Sequence, residues 1–114
     1  MTDTLTARWE VICPQHWVEA ERGVAALVAD TQVAIFRTFG GEIFAIDNRD
    51  PIAGAYVMSR GIVGSRGDAP TVASPLHKEV YDLRTGACLD VAGVVVRTYA
   101  VRVRDGMVEV SAGT

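Results

Sequence analysis

The sequence predicts an all-β fold, an antiparallel sandwich or barrel with little helix and two protruding loops. Three observations carry this. Helical periodicity is almost absent along the 114 residues. Apolar residues gather instead in short runs, some with the period-two alternation that gives a strand one wet face. Between the runs stand Gly, Asp, Asn and Pro, the residues that tight turns require.

Taken in order, residues 8–13 alternate as a first strand, and residues 14–23 form a connecting loop with room for one helical turn. Residues 24–28 and 33–37 are strand runs joined at Ala29-Asp30-Thr31-Gln32, and Phe39-Gly40-Gly41-Glu42 turns the chain into a short strand at 43–46. Three strands so close in sequence predict an antiparallel meander. Residues 47–51 combine Asp, Asn and Pro, which excludes a central strand and predicts a loop. Residues 56–60 fit a strand or a short turn. Residues 61–70, with three glycines and a proline, predict an exposed and mobile excursion. The chain then re-enters the sheet at 71–73, loops tightly at 74–78, and runs as a strand at 79–83 before the Arg84-Thr85-Gly86 turn. Strands at 94–96, 99–104 and 107–110 complete the sheet, the last two joined by Asp105-Gly106 as a two-residue hairpin turn. No repeat or linker interrupts the chain, so residues 1–114 are expected to form one domain with its core at about 8–110.

Composition narrows the function classes. Hydrophobic residues make up 49% and charged residues 22%, a globular rather than a disordered balance. Fourteen acidic against eleven basic residues give a net charge of −3, and no basic cluster marks a nucleic-acid footprint. Met1-Thr2-Asp3-Thr4-Leu5-Thr6 lacks the basic head and apolar run of a signal peptide. No apolar stretch is long enough to span a bilayer. Cys13 and Cys88 are too few for a disulfide framework and suit a reducing compartment. The expectation is a soluble cytoplasmic domain without nucleic-acid or membrane partners.

Three segments carry a family resemblance. Asp50-Pro51-Ile52-Ala53-Gly54-Ala55, after a strand ending Ala45-Ile46-Asp47, is similar to the Cys-Pro-His-x-Gly segment of Rieske domains. Ser74-Pro75-Leu76-His77-Lys78 is similar to their Cys-Pro-x-His-Gly segment, and Tyr81-Asp82-Leu83-Arg84-Thr85-Gly86 to their Phe-Asp-Leu-x-Thr-Gly tail. The resemblance implies a Rieske-like fold over nearly the whole chain. A Rieske cluster takes two thiolates on one iron and two imidazoles on the other. Lined up on that pattern, the thiolate positions hold Asp50 and Ser74, and the imidazole positions hold Ile52 and His77. Isoleucine coordinates nothing, a serine hydroxyl is not ionised at neutral pH, and a carboxylate is a hard ligand for a sulfide cluster. The expectation is a Rieske fold that holds no iron.

A domain of this kind with a Ser-Pro-Leu second loop and a Tyr-Asp-Leu-x-Thr-Gly tail resembles the small subunits of assimilatory NAD(P)H-dependent nitrite reductase. That resemblance implies a non-catalytic chain with no cofactor of its own. Its large partner subunit would carry siroheme, a [4Fe-4S] cluster and FAD, and reduce nitrite to ammonium. The alternative is a Rieske-type [2Fe-2S] electron carrier, ferredoxin-like, with an atypical ligand set. Without a metal the loop tips need other support, and the side chains of Ile52 and Leu76 are expected to pack together there, each worth about 1.5–3 kcal/mol if fully buried. Pro51, Ile52, Pro75, Leu76, His77 and Lys78 are the candidate partner-docking residues, with Val57 and Met58 beside them.

Other chemistry-bearing residues have plainer readings. Cys13-Pro14-Gln15-His16 with His77 and Cys88 would satisfy zinc in ligand type, but the spacings match no zinc finger. Asp47, Asp50 and Asp82 read as turn carboxylates that bond their own backbone. No catalytic triad order, P-loop or dinucleotide-binding glycine pattern is present. Trp9 is expected in the core and Trp17 at an interface.

Overall fold

A computed structural model describes residues 9–111. It consists of nine strands: β1 (Trp9–Pro14), β2 (Gly23–Val28), β3 (Thr31–Arg37), β4 (Ile43–Asp47), β5 (Ile62–Arg66), β6 (Ala69–Ala73), β7 (Val80–Asp82), β8 (Thr98–Arg104) and β9 (Met107–Ser111). The described residues contain no α-helix, only 3-10 turns at Gln15–Trp17 and Met58–Arg60. Six strands form one antiparallel sheet in the order β1-β9-β8-β4-β3-β2. Its two edges, β1 and β2, approach each other, so the sheet is a nearly closed barrel. The other three strands form a small sheet, β5-β6-β7.

Local chemistry explains the meander and its turns. Ala29 and Asp30 link β2 to β3 at φ of 49° and 69°, and Asp105 and Gly106 link β8 to β9 at 54° and 78°. Two successive residues at positive φ match the right-handed twist of the flanking strands, which is why two-residue hairpins select them. β3 is buried on both faces. Ala34 and Phe36 join a core shared with the small sheet, through Ile46, Met58, Val72, Tyr81 and Leu83. Val33 and Ile35 join the barrel interior with Cys13, Val18, Val28, Ala45, Val108 and Val110. A strand between two apolar layers reads as a continuous apolar run, and Val33-Ala34-Ile35-Phe36 does.

Three sequence expectations change. Residues 61–70 are exposed for the most part but are not an irregular excursion: most of them form β5 and the hairpin into β6. Their glycines serve geometry instead. A Cβ on Gly61 would lie 2.6 Å from the Ala73 carbonyl oxygen, and Gly67 takes φ of 61° in the turn. Pro70 sits near the start of β6, where its carbonyl accepts from the Leu83 N–H at 2.9 Å and its missing N–H is harmless. Residues 94–96 form no ladder strand, and are joined to the Gly86–Cys88 segment by a bridge and single hydrogen bonds. Trp9 is half-buried at the barrel surface, its ring covered by the Arg102 guanidinium at 4.1 Å. Arg8 and the Met1–Thr6 stretch lie outside the described residues.

Candidate functional site at the loop tips

The loops after β4 and β6 are built on one hydrogen-bond frame, and so is the turn after β7. In the first, the Asp50 N–H donates to the Ala55 carbonyl at 2.8 Å, and the Gly54 N–H donates back to the Asp50 carbonyl at 2.7 Å. In the second, Ser74 N–H donates to Glu79 at 2.9 Å, and Lys78 N–H to Ser74 at 3.0 Å. In the third, Asp82 N–H donates to Ala87 at 2.9 Å, and Gly86 N–H to Asp82 at 2.7 Å. The fifth residue of each frame is left-handed: Gly54 at φ 81°, Lys78 at 65° and Gly86 at 82°. The first residue of each carries a side-chain oxygen that accepts the N–H two residues on: Asp50 from Ile52 at 2.8 Å, Ser74 from Leu76 at 3.3 Å, Asp82 from Arg84 at 2.8 Å. An Asp or Ser at that position closes the loop from within.

The two long loops meet at their first residues. Ser74 Oγ donates to Asp50 Oδ2 at 2.5 Å, and both residues are buried. The other Asp50 oxygen also accepts from the Ala53 N–H at 3.0 Å. Burial alone would raise the Asp50 pKa. The Ser74 hydroxyl, the Ala53 and Ile52 N–H groups and the charge of His77 together outweigh it, and hold the carboxyl below its ordinary value. The neighbouring Tyr81 hydroxyl is fully buried beside Cys88, and its pKa is pushed up, first by burial and then by Asp50, Cys88 and Glu79. Asn48 braces the first loop from below, donating to Gln32 Oε1 at 3.1 Å and accepting from the Ser59 N–H at 2.7 Å.

The tips themselves differ from expectation. Ile52 and Leu76 are 42% and 49% exposed and belong to neither core cluster, so they do not pack into the space between the loops. The polar pair Asp50–Ser74 joins the loops instead. His77 and Lys78 are exposed and Pro51 and Pro75 half-buried, whereas Met58 is buried in the core and contributes nothing to the tip surface. Asp47 accepts from the Tyr99 hydroxyl, and Asp82 faces Arg84 at 3.3 Å, so both carboxylates have structural partners. Cys13 and Cys88 lie in different core clusters, and His16 and His77 are exposed. Among the described residues no three His, Cys, Asp or Glu side chains are placed to hold a metal. The Asp50–Ser74 pair was legible only as a donor facing an acceptor. Reading each residue singly as a failed iron ligand hides it.

Residues 8–111 match the family described as a Rieske-like [2Fe-2S] domain. The chain belongs to that family. Within it, the chain is 39% identical to the small subunit of the NADH nitrite reductase of Escherichia coli K12, over 90% of this chain and 96% of that one. A Mycobacterium tuberculosis chain assigned as an NADH-dependent nitrite reductase small subunit superposes with a TM-score of 0.91 at 40% identity, covering 96% of this chain and 98% of that one. The protein is thus a Rieske-like domain of the nitrite reductase small-subunit family. It also matches, at 38% identity over 88% of its length, only 10% of the nitrite reductase large subunit of Klebsiella oxytoca.

The side chains these loops carry at Asp50, Ile52, Ser74 and His77 are not the two thiolates and two imidazoles that a Rieske cluster takes. Asp50 and Ser74, at the heads of the two loops, are hydrogen-bonded to each other, and the Ile52 side chain has no donor atom to offer a metal. No helix among the described residues is long and apolar enough to cross a membrane.

Proposed function

We propose that the chain is a non-catalytic small subunit of a cytoplasmic NAD(P)H-dependent nitrite reductase, holds no [2Fe-2S] cluster, and docks through its loop tips on the large subunit. The single observation that supports the cluster-free reading is the buried Asp50–Ser74 hydrogen bond. It occupies the positions of both thiolates, satisfies the carboxylate, and joins the two loops without iron. The turn at 82–87, which has the same frame with an Asp at its head, supports the view that these residues close loops. The docking residues are Pro51, Ile52, Pro75, Leu76, His77 and Lys78. Half-exposed Ile52 and Leu76 supply the apolar contact that a monomer surface does not need. The match inside the Klebsiella oxytoca large subunit supports the partner assignment, because a similar module occurs there within the large chain itself.

Iron and acid-labile sulfide, measured on the chain purified without oxygen, test the first half. A colourless, folded, iron-free protein is expected. Stoichiometric iron and sulfide would make the chain an electron carrier and overturn the reading. Co-purification with the large subunit tests the second half, and failure to associate at micromolar concentrations would remove the docking role.

A further inference from the structure

At the end of the molecule opposite the loop tips lies a second surface with a distinct chemistry. β4 runs from the Phe39–Glu42 turn toward Asp50, and β6 runs from the Gly67-Asp68 turn toward Ser74, so both turns sit at the far end. A groove of about 220 Å³ lies between these turns, bordered on one side by β5.

β5 is an open edge. Arg66 and Ala69 flank a two-residue turn, so they and every second pair beyond exchange the ladder hydrogen bonds with β6. The alternate residues, Val63 and Ser65, therefore aim their N–H and C=O groups away from β6, and these find no partner among the described residues. Unpaired edge groups of this kind template the addition of another strand. The side chains impose little obstacle, since Gly64 has none and Ser65 is small.

The surroundings select the occupant by charge. The ionisable residues lining the groove are Glu21, Glu42 and Asp68, all carboxylates. Phe39, at the lip, is 86% exposed and presents its ring to an incoming cation or apolar side chain. Of the nearby cations, Arg66 faces Asp90 at 3.0 Å. Arg84 faces Asp82 at 3.3 Å while also lying within electrostatic reach of Asp68 and Glu42, so one arginine stands against three groove carboxylates. We propose that the open edge of β5 and its acidic groove bind an extended, lysine- or arginine-bearing segment of a partner protein, which pairs with Val63 and Ser65 as an added strand. This site is independent of the loop-tip docking reading.

Two synthetic probes test it on the full chain by amide hydrogen exchange and chemical-shift mapping: an eight-residue peptide alternating valine with lysine, and the same peptide with glutamate for lysine. The basic peptide is expected to slow exchange at the Val63 and Ser65 amides and to shift the Phe39–Glu42 resonances, while the acidic peptide leaves both unchanged. Ser65→Pro removes an outward N–H while sparing the β6 ladder, so it should abolish the response with the fold intact. Glu42→Gln with Asp68→Asn should weaken binding by about tenfold at low salt. The proposal is overturned if exchange at Val63 and Ser65 is unaffected at millimolar basic peptide. It is equally overturned if the acidic peptide gives the same response.

Discussion

A single buried carboxylate organises the loop-tip site, and its titration can be worked out. The folded Asp50 pKa lies below its ordinary value, while in the unfolded chain it is about 3.9. The stability it confers is therefore fully present above the unfolded value and disappears as pH falls through the folded one. Urea midpoints measured across this acid range should fall more steeply for the wild type than for Asp50→Asn. Ser74→Ala leaves the carboxylate its two backbone donors but removes the third, and should cost about 1–3 kcal/mol at neutral pH. A second residue is strained rather than buried. Lys78 holds φ of 65°, where its two counterparts in the other frames are glycines. Lys78→Gly should raise stability, by up to about 1 kcal/mol in thermal or urea unfolding, because the left-handed cost of a side chain exceeds glycine's extra entropy in the unfolded chain.

At the scale of elements, the loop-and-turn frame repeats three times, and the third copy has the least tolerance. A Cβ on Gly86 would come 2.0 Å from the Val96 carbonyl oxygen, and its φ of 82° disfavours any side chain. Gly86→Ala should therefore destabilise by about 2 kcal/mol or more, and exceed the effect of the same change at Gly54, whose nearest neighbour is the 3.4 Å end of a flexible arginine. Most strands were legible because their signals are local: alternation in β8, the Asp105-Gly106 turn, the unbroken apolar run of β3 between two cores. β5 was not. Gly61, Gly64 and Gly67 look alike in sequence, yet Gly61 permits a close approach and Gly67 a turn. Only the fold tells these from flexibility. The expected burial of Ile52 and Leu76 failed for a related reason. Residue types predicted burial, but the spacing of the two loops is set by a polar bond between their heads, which leaves the tips outside.

For the whole molecule, the two surfaces are separable. Ile52→Glu with Leu76→Glu changes exposed side chains, so unfolding should shift by no more than about 1 kcal/mol, while co-purification with a large subunit is lost. If association survives the double change, the loop tips are not the docking face. Asp50 belongs to a loop that leaves the six-stranded sheet and Ser74 to one that leaves the small sheet, so their bond rivets the two layers together at one end of the body. The other end carries the groove. Riveted at one end and cleft at the other, the layers should give more readily at the groove than at the loop heads. Slow breathing of the molecule should open it like a book whose spine runs along Asp50 and Ser74, and relaxation measurements should find the widest motion at the page edges, residues 39–42 and 66–69.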